Sequence, residues 1–245
     1  MKIGETRVVD PMEVLKASRR FDLVFKLALA KAYAGGDARE IREAEEAYLE
    51  AVRSRNGFFE AEPFRDCPAD FVRSFKATAA SIRENGYDMS KPPIPVDADM
   101  ELLNGAHRLA CCAAYGLKCP VKASDMYPAG GSVMRTFVLG HIHPAVLNWG
   151  VRKYLELVPG GCLAADYGDA SRWPEMPFPD WAERNRKAWK YKVKPALSWA
   201  WYSLTLPFKR GAAREKQLRR ILRERKKITG FAALADYWKG GREHA

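Results

Sequence analysis

Residues 94–116 read IPVDADMELLNGAHRLACCAAYG. An apolar triplet, an acidic turn and a second apolar pair lead into Asn-Gly-Ala-His-Arg, and a run of small residues follows. The alternation predicts a strand over 93–97, a turn at 97–99, a strand over 100–103 and a helix over 106–116. The Asn104–Arg108 turn then stands where a strand hands over to a helix. Backbone N–H groups at a helix start have no intrahelical partner, and the helix dipole is positive there. Gly105 lets the main chain approach a ligand closely. His107 and Arg108 add side-chain donors, and a positive imidazole at that end of a helix gains from a nearby anion. The turn therefore reads as an anion site, with phosphate the natural occupant.

Working outward, residues 69–85 form a helical pattern closed by Asn85-Gly86, and 119–124 (CPVKAS) reads as a further strand. Upstream, Asp10 and Pro11 open a helical pattern over 11–34, with Leu15, Phe21, Phe25 and Leu29 on one side. Asp37 caps a second helix over 38–54, and 58–68 is a loop. Downstream, 132–139 fits strand or helix, 144–157 fits a helix, and the Gly/Pro/Asp-rich stretch 159–180 reads as a linker or a long loop. Residues 181–240 read as mostly helical, with breaks at Pro195, Pro207, Gly211 and Gly230.

The order of helix ending in SIRENG, strand, second strand, NGAHR turn, helix ending in a small-residue run and Gly, then short strand resembles the core of the ParB/sulfiredoxin superfamily. The resemblance spans about residues 70–124. It implies an α/β fold: a ParB/sulfiredoxin-like nucleotide-binding core over 69–158, an N-terminal helical subdomain over 1–68, a linker over 159–180 and a basic aromatic helical extension over 181–245. It also implies a bound nucleoside triphosphate, ATP or CTP, with Mg2+. On that alignment Gly105 and Ala106 bring the backbone to the phosphates, His107 and Arg108 contact their oxygens, and Ser81 either lies near the nucleotide or bonds locally. The superfamily's free-serine kinases carry Asp where this chain has Asn104, and an amide cannot take a proton or hold a metal as a carboxylate can. The sulfiredoxin reductase activity needs a cysteine where this chain has Ala106.

Carboxylates for a kinase must then come from elsewhere. In RRFDLVFK (19–26), Arg20, Asp22 and Lys26 interleave with apolar residues, and Asp22 and Lys26 are four apart. They form either a plain surface ion pair or a catalytic or Mg2+-binding carboxylate beside phosphate-neutralising Arg20 and Lys26. Glu60, after the aromatic NGFF, is the second candidate base or metal ligand. His141 and His143 offer a two-histidine pair, without a Cys or carboxylate at a spacing that completes a metal site. Arg135, Asp166 and Asp169 could line an acceptor pocket or sit on solvated loops.

Bulk composition sets the frame. The 245 residues are 47% hydrophobic and 29% charged, which is globular rather than disordered. The start lacks the apolar stretch of a signal peptide, and no uncharged run is long enough to cross a bilayer. Five cysteines without a CxxC pair point to reduced thiols and a cytoplasmic setting, with Cys111 and Cys112 as small core residues. The net charge of +11 is not spread evenly: residues 181–227 hold 16 Lys/Arg against 3 Asp/Glu. Within that segment Pro195–Phe208 is uncharged and holds Trp199, Trp201 and Tyr202. It reads as an anchor on the inner membrane face, as a helix packed on the domain, or as a nucleic-acid contact. The expected activity is phosphoryl transfer to a hydroxyl of a small polyol, sugar or surface-glycan/lipid intermediate. The alternative is a nucleotide-gated, ParB-like DNA-binding protein.

Overall fold

The structure is a computed structural model. It describes residues 1–61, 64–125, 133–175 and 189–206, with 211, 213–214, 216–218, 220–221 and 225. The fold is mixed α/β. Strand β1 (Thr6–Val9) precedes α1 (Pro11–Ala17), α2 (Leu23–Gly35) and α3 (Ala38–Asn56). A two-residue hairpin, β2 (Glu60–Ala61) and β3 (Phe64–Arg65), leads to α4 (Pro68–Asn85). Then come β4 (Ile94–Val96), α5 (Ala106–Tyr115), β5 (Cys119–Ala123), α6 (Met134–Leu139), α7 (Pro144–Leu157), α8 (Cys162–Tyr167), a 3-10 turn at Ala170–Arg172 and α9 (Trp189–Thr205).

The main sheet has the order β1-β5-β4. β4 runs parallel to β5 with Ile94 opposite Val121, so α5 is the crossover helix of a βαβ unit. β1 runs antiparallel on the other side of β5, with Thr6 opposite Lys122 and Val9 opposite Cys119. The strand expected over 100–103 shrinks to a single bridge between Val96 and Leu102. Its start is consumed by a turn in which the Asp97 carboxylate accepts from the Asp99 and Glu101 amides.

The helix expected over 11–34 is two helices. A capping box of Asp10 and Glu13 opens α1. At Ser18 the backbone turns extended, and the Ser18 hydroxyl accepts from the Arg20 amide. That break turns Arg20 and Asp22 inward, and Asp22 stands at the start of α2 rather than on a helix surface. α2 is buried all round from Leu23 through Ala30, including Lys26. It packs against α5, α3 and α7. One hydrophobic core runs from Val9 to Leu163, continuous across the boundary expected at residue 68.

A buried ion pair fixes the second half of the fold. Arg53 bonds Glu50 through Nε at 2.8 Å and the Gly140 and His141 carbonyls through its terminal nitrogens; Glu50 in turn accepts from the His143 amide. The close approach requires Gly140, since a Cβ there would fall within the Ser54 carbonyl. His143 caps α7 by accepting from the Ala145 amide, and the His141 carbonyl receives Arg53, so the His-Ile-His stretch serves the α3–α7 junction. Stretch 159–175, expected as linker or loop, carries α8 and the 3-10 turn. Asp166 pairs with Arg19 and Asp169 caps the turn through Ser171, which gives both structural partners. Among the described residues no helix is long and apolar enough to cross a membrane. Much of the basic extension, including 181–188 and 226–245, lies outside the described residues.

Candidate functional site

Two neighbouring places are built around the Asn104–Arg108 turn. Gly105 has φ of +82° and starts α5 without a side-chain cap, so the first amides of α5 are left for a ligand or water. The Asn104 side chain folds back, its Oδ1 accepting from the Gly105 amide at 2.7 Å. Ala106 is buried, while His107 and Arg108 point in different directions.

Arg108 borders a cleft of about 550 Å3 between α4 and residues 86–92. Ser74, Thr78 and Ser81 recur at helical spacing along the α4 wall; Tyr87, Asp88 and Lys91 line the opposite wall. Arg108 is held over the rim by Nη1, which donates to the Tyr87 hydroxyl at 2.6 Å and to the Pro92 carbonyl. The Tyr87 hydroxyl donates to the same carbonyl at 2.7 Å. A cleft of this size suits a nucleotide. Ser81 is among the residues that line this cleft.

His107 turns instead into a charged centre beneath the turn. Its Nε2 lies 3.1 Å from the Tyr48 hydroxyl, and its ring packs edge-on against Tyr48 and Phe75. Burial, with the charges of Lys26 and Arg65, pushes the imidazole well below its ordinary 6.5, so it is neutral at pH 7. Burial likewise raises the Tyr48 phenol. The expectation of a positive His107 facing an anion is thereby corrected.

The same centre collects Arg20, Asp22, Lys26 and Glu60 from the candidates, and adds Arg55 and Arg65. Asp22 accepts from Arg20 Nε at 3.1 Å and Nη2 at 2.9 Å, from Lys26 Nζ at 2.7 Å and from Arg55 Nη1 at 3.3 Å. Burial alone would raise its pKa, but Lys26, Arg20 and Arg55 outweigh that and hold the carboxyl far below the usual range. Lys26 is lowered by burial, with Asp22 opposing. Glu60 accepts from Arg55 Nη2 at 3.1 Å, from the Asn56 side-chain Nδ2 and from Arg65 Nη2. Arg20 Nη1 also donates to the Leu103 carbonyl at 2.6 Å, which ties the centre to the strand-to-turn segment.

These contacts correct two further expectations. Asp22 and Glu60 do not fit a Mg2+ site, because their oxygens already receive N–H donors from surrounding cations. Asp22 is a poor base, because its proton affinity has been stripped by three cations. Arg20 and Lys26 line this centre rather than the cleft. Among the described residues the one cluster with metal-ligand spacing is Asp66, Cys67 and Asp70, which includes neither Asp22 nor Glu60.

The centre and the cleft share a wall. Arg65 Nη1 donates to the Ser74 hydroxyl at 3.2 Å, and Ser74 faces the cleft. Arg55, Arg65 and Tyr48 were not among the candidates. Arg55 and Arg65 flank the NGFFE stretch that holds Glu60, and a basic residue on each side of a carboxylate was the available signal. No family model, no curated protein and no solved structure matches the chain.

Proposed function

We propose that this chain is a nucleoside-triphosphate-dependent phosphotransferase on a ParB/sulfiredoxin-like core. The observation that carries the reading is the hydroxyl-lined cleft of about 550 Å3 with Arg108 at its rim, beside the uncapped start of α5. The order α4, β4, bridge at Leu102, turn, α5, β5 supports the core assignment. The base and sugar occupy the cleft against α4, and the phosphates run toward Gly105–Arg108, where backbone amides and the guanidinium balance their charge.

The acceptor hydroxyl enters from the side of the charged centre. Its oxygen bonds to the terminal phosphorus as the bond from that phosphorus to the nucleotide's bridging oxygen breaks. The hydroxyl proton passes to an oxygen of the transferred phosphoryl group, since burial and neighbouring cations oppose protonation of His107 and cations oppose that of Asp22. Positioning and charge stabilisation do most of this work, and the protein supplies both through fixed cations. No step is assigned to a metal held by Asp22 or Glu60.

The proposal extends to location. On α9, Leu197, Trp201 and Leu204 are exposed at helical spacing within an uncharged stretch flanked by basic sequence. That pattern supports peripheral attachment to an anionic membrane.

The deciding experiment is calorimetry with ATP and CTP, followed by transfer of labelled γ-phosphate to polyol and sugar acceptors. Absence of binding by both nucleotides overturns the reading. Flotation with anionic and zwitterionic vesicles, run beside a DNA gel shift, separates membrane attachment from the DNA-binding alternative.

A further inference from the structure

The hydroxyls on the α4 wall of the cleft are not equivalent. Thr78 Oγ1 donates to the Ser74 carbonyl at 2.9 Å. Its one proton is spent on its own helix, and the oxygen offers the cleft only lone pairs. Ser74 is the opposite case. Arg65 Nη1 donates to Ser74 Oγ at 3.2 Å, and a guanidinium has only donors, so the oxygen accepts on that side. No acceptor among the described residues takes the Ser74 proton, which is left for the cleft. Arg65 is held in place: it is buried, its Nη2 donates to Glu60, and its guanidinium lies 4.7 Å from the centre of the Phe71 ring. One turn of α4 therefore presents a fixed donor and a fixed acceptor, with about 5–6 Å between Cβ atoms at that spacing. Two O–H···O bonds of about 2.8 Å each bridge such a gap through an intervening hydroxyl. On the opposite wall Asp88 Oδ1 is folded into its own turn, accepting from the Ser90 amide at 2.9 Å and hydroxyl at 2.6 Å.

We infer that Ser74 and Thr78 form a subsite for a cis-diol, that its occupant is the ribose of the nucleotide, and that Arg65 is the positioning residue that leaves the Ser74 proton for it. The chemistry follows from the pair. A phosphate or carboxylate oxygen finds no donor in Thr78, and an ammonium group finds a donor already in Ser74. A hydroxyl gives and receives at once, and two neighbouring hydroxyls satisfy both residues. Ribose, rather than a sugar acceptor, follows from place: base and sugar lie against α4, while the acceptor enters from the charged centre. The word ribose rests on the nucleotide reading; the diol subsite does not.

The test is calorimetry of the full chain with ATP and with 2′,3′-dideoxy-ATP, which keeps the base edge and lacks both hydroxyls. Wild type is expected to bind ATP about tenfold more tightly, the scale of one or two neutral hydrogen bonds. Ser74→Ala and Thr78→Val are each expected to weaken ATP about fivefold and to leave the dideoxy analogue within about twofold. Arg65→Lys keeps a cation beside Glu60 but lacks the planar fork that reaches both partners. It is expected to shrink the ratio as Ser74→Ala does, whereas general damage to the fold weakens both nucleotides alike. If Arg65→Lys does not fold, as judged by circular dichroism, Ser74→Ala and Thr78→Val decide. Equal binding of the two nucleotides by wild type overturns the diol assignment and leaves the nucleotide reading standing. A ratio kept by Ser74→Ala and Thr78→Val but lost in Asp88→Asn puts the ribose on the opposite wall and overturns the subsite. A ratio unchanged in folded Arg65→Lys removes Arg65 as the positioning residue. If neither nucleotide binds, the nucleotide reading falls, and saturation-transfer NMR with free D-ribose decides the subsite. A signal abolished by Ser74→Ala keeps it; no signal, or one that Ser74→Ala leaves unchanged, removes it.

Discussion

The Tyr48 hydroxyl and His107 Nε2 stand 3.1 Å apart and join the middle of α3 to the first turn of α5. The bond keeps a neutral imidazole inside a ring of cations. Lys26, Arg65 and Arg55 oppose its protonation, and Asp22 alone among its main charged neighbours favours it. Above pH 6.5 the imidazole is neutral in both folded and unfolded chains and costs nothing. Below it the unfolded chain takes a proton that the folded chain refuses, so stability falls with pH. Urea unfolding should lose up to about 1.4 kcal/mol per pH unit in that range. His107→Gln should flatten the slope between pH 6.5 and 5, and an unchanged slope would show that the imidazole titrates normally.

Asp22 is the counter-charge on which three cations converge. Replacing it with Asn leaves Arg20 and Lys26 buried without their anion. The expected cost is about 3–5 kcal/mol at pH 7, read from denaturant midpoints. The wild-type benefit is present above the usual carboxyl value of 3.8 and is lost as pH falls toward the depressed folded value. The difference between Asp22→Asn and wild type should therefore hold steady from pH 5 to 8. A loss below about 1 kcal/mol would mean that the pair is solvated.

Gly105 carries a left-handed backbone, and a Cβ there would sit 3.1 Å from the Arg108 guanidinium. Gly105→Ala should cost about 1–2 kcal/mol and displace Arg108 from the cleft rim. Nucleotide affinity should then fall by about tenfold or more, a scale set by loss of a charge-assisted contact of roughly 1.5–3 kcal/mol. Calorimetry beside a thermal melt separates the two effects. Unchanged affinity would remove Arg108 from the phosphate path.

Gly140→Ala probes the clasp between α3 and the α6–α7 corner. The added methyl meets backbone rather than a flexible side chain, so relaxation must move an element. A destabilisation of about 2–3 kcal/mol is expected, as a lowered thermal midpoint, and a neutral result would mean that the corner repacks freely.

Much of this architecture could be read from local signals. Asn56-Gly57 and Asn85-Gly86 close α3 and α4 where their left-handed or turning glycines require, and Pro144 opens α7 as expected. β1 escaped notice because Thr6, Arg7 and Val8 are exposed and Val9 alone enters the core, so TRVV has no alternation to detect. The break at 18–22 was hidden because Phe21 and Leu23 keep the apolar pattern going, while the cause is a single serine hydroxyl. At the site, Arg20, Asp22, Lys26, Glu60 and His107 were identifiable as residue types suited to charge chemistry. Their assembly into one centre was not, because it depends on where α3 and the β2–β3 hairpin deliver Arg55 and Arg65. The division of labour between His107 and Arg108 was equally hidden, since adjacent positions on a helix diverge by about 100° and only tertiary packing decides what each one meets.

The pairing of β1 with β5 constrains how the protein is made. Strand β1 leaves the ribosome before its partner β5, which follows only after α1 through α5 have emerged, so its hydrogen bonds wait for that whole stretch to be made. Until then the nascent chain has to hold Thr6–Val9 unpaired, and a truncation that removes this strand would leave β5 with a bare edge, open to pairing between molecules.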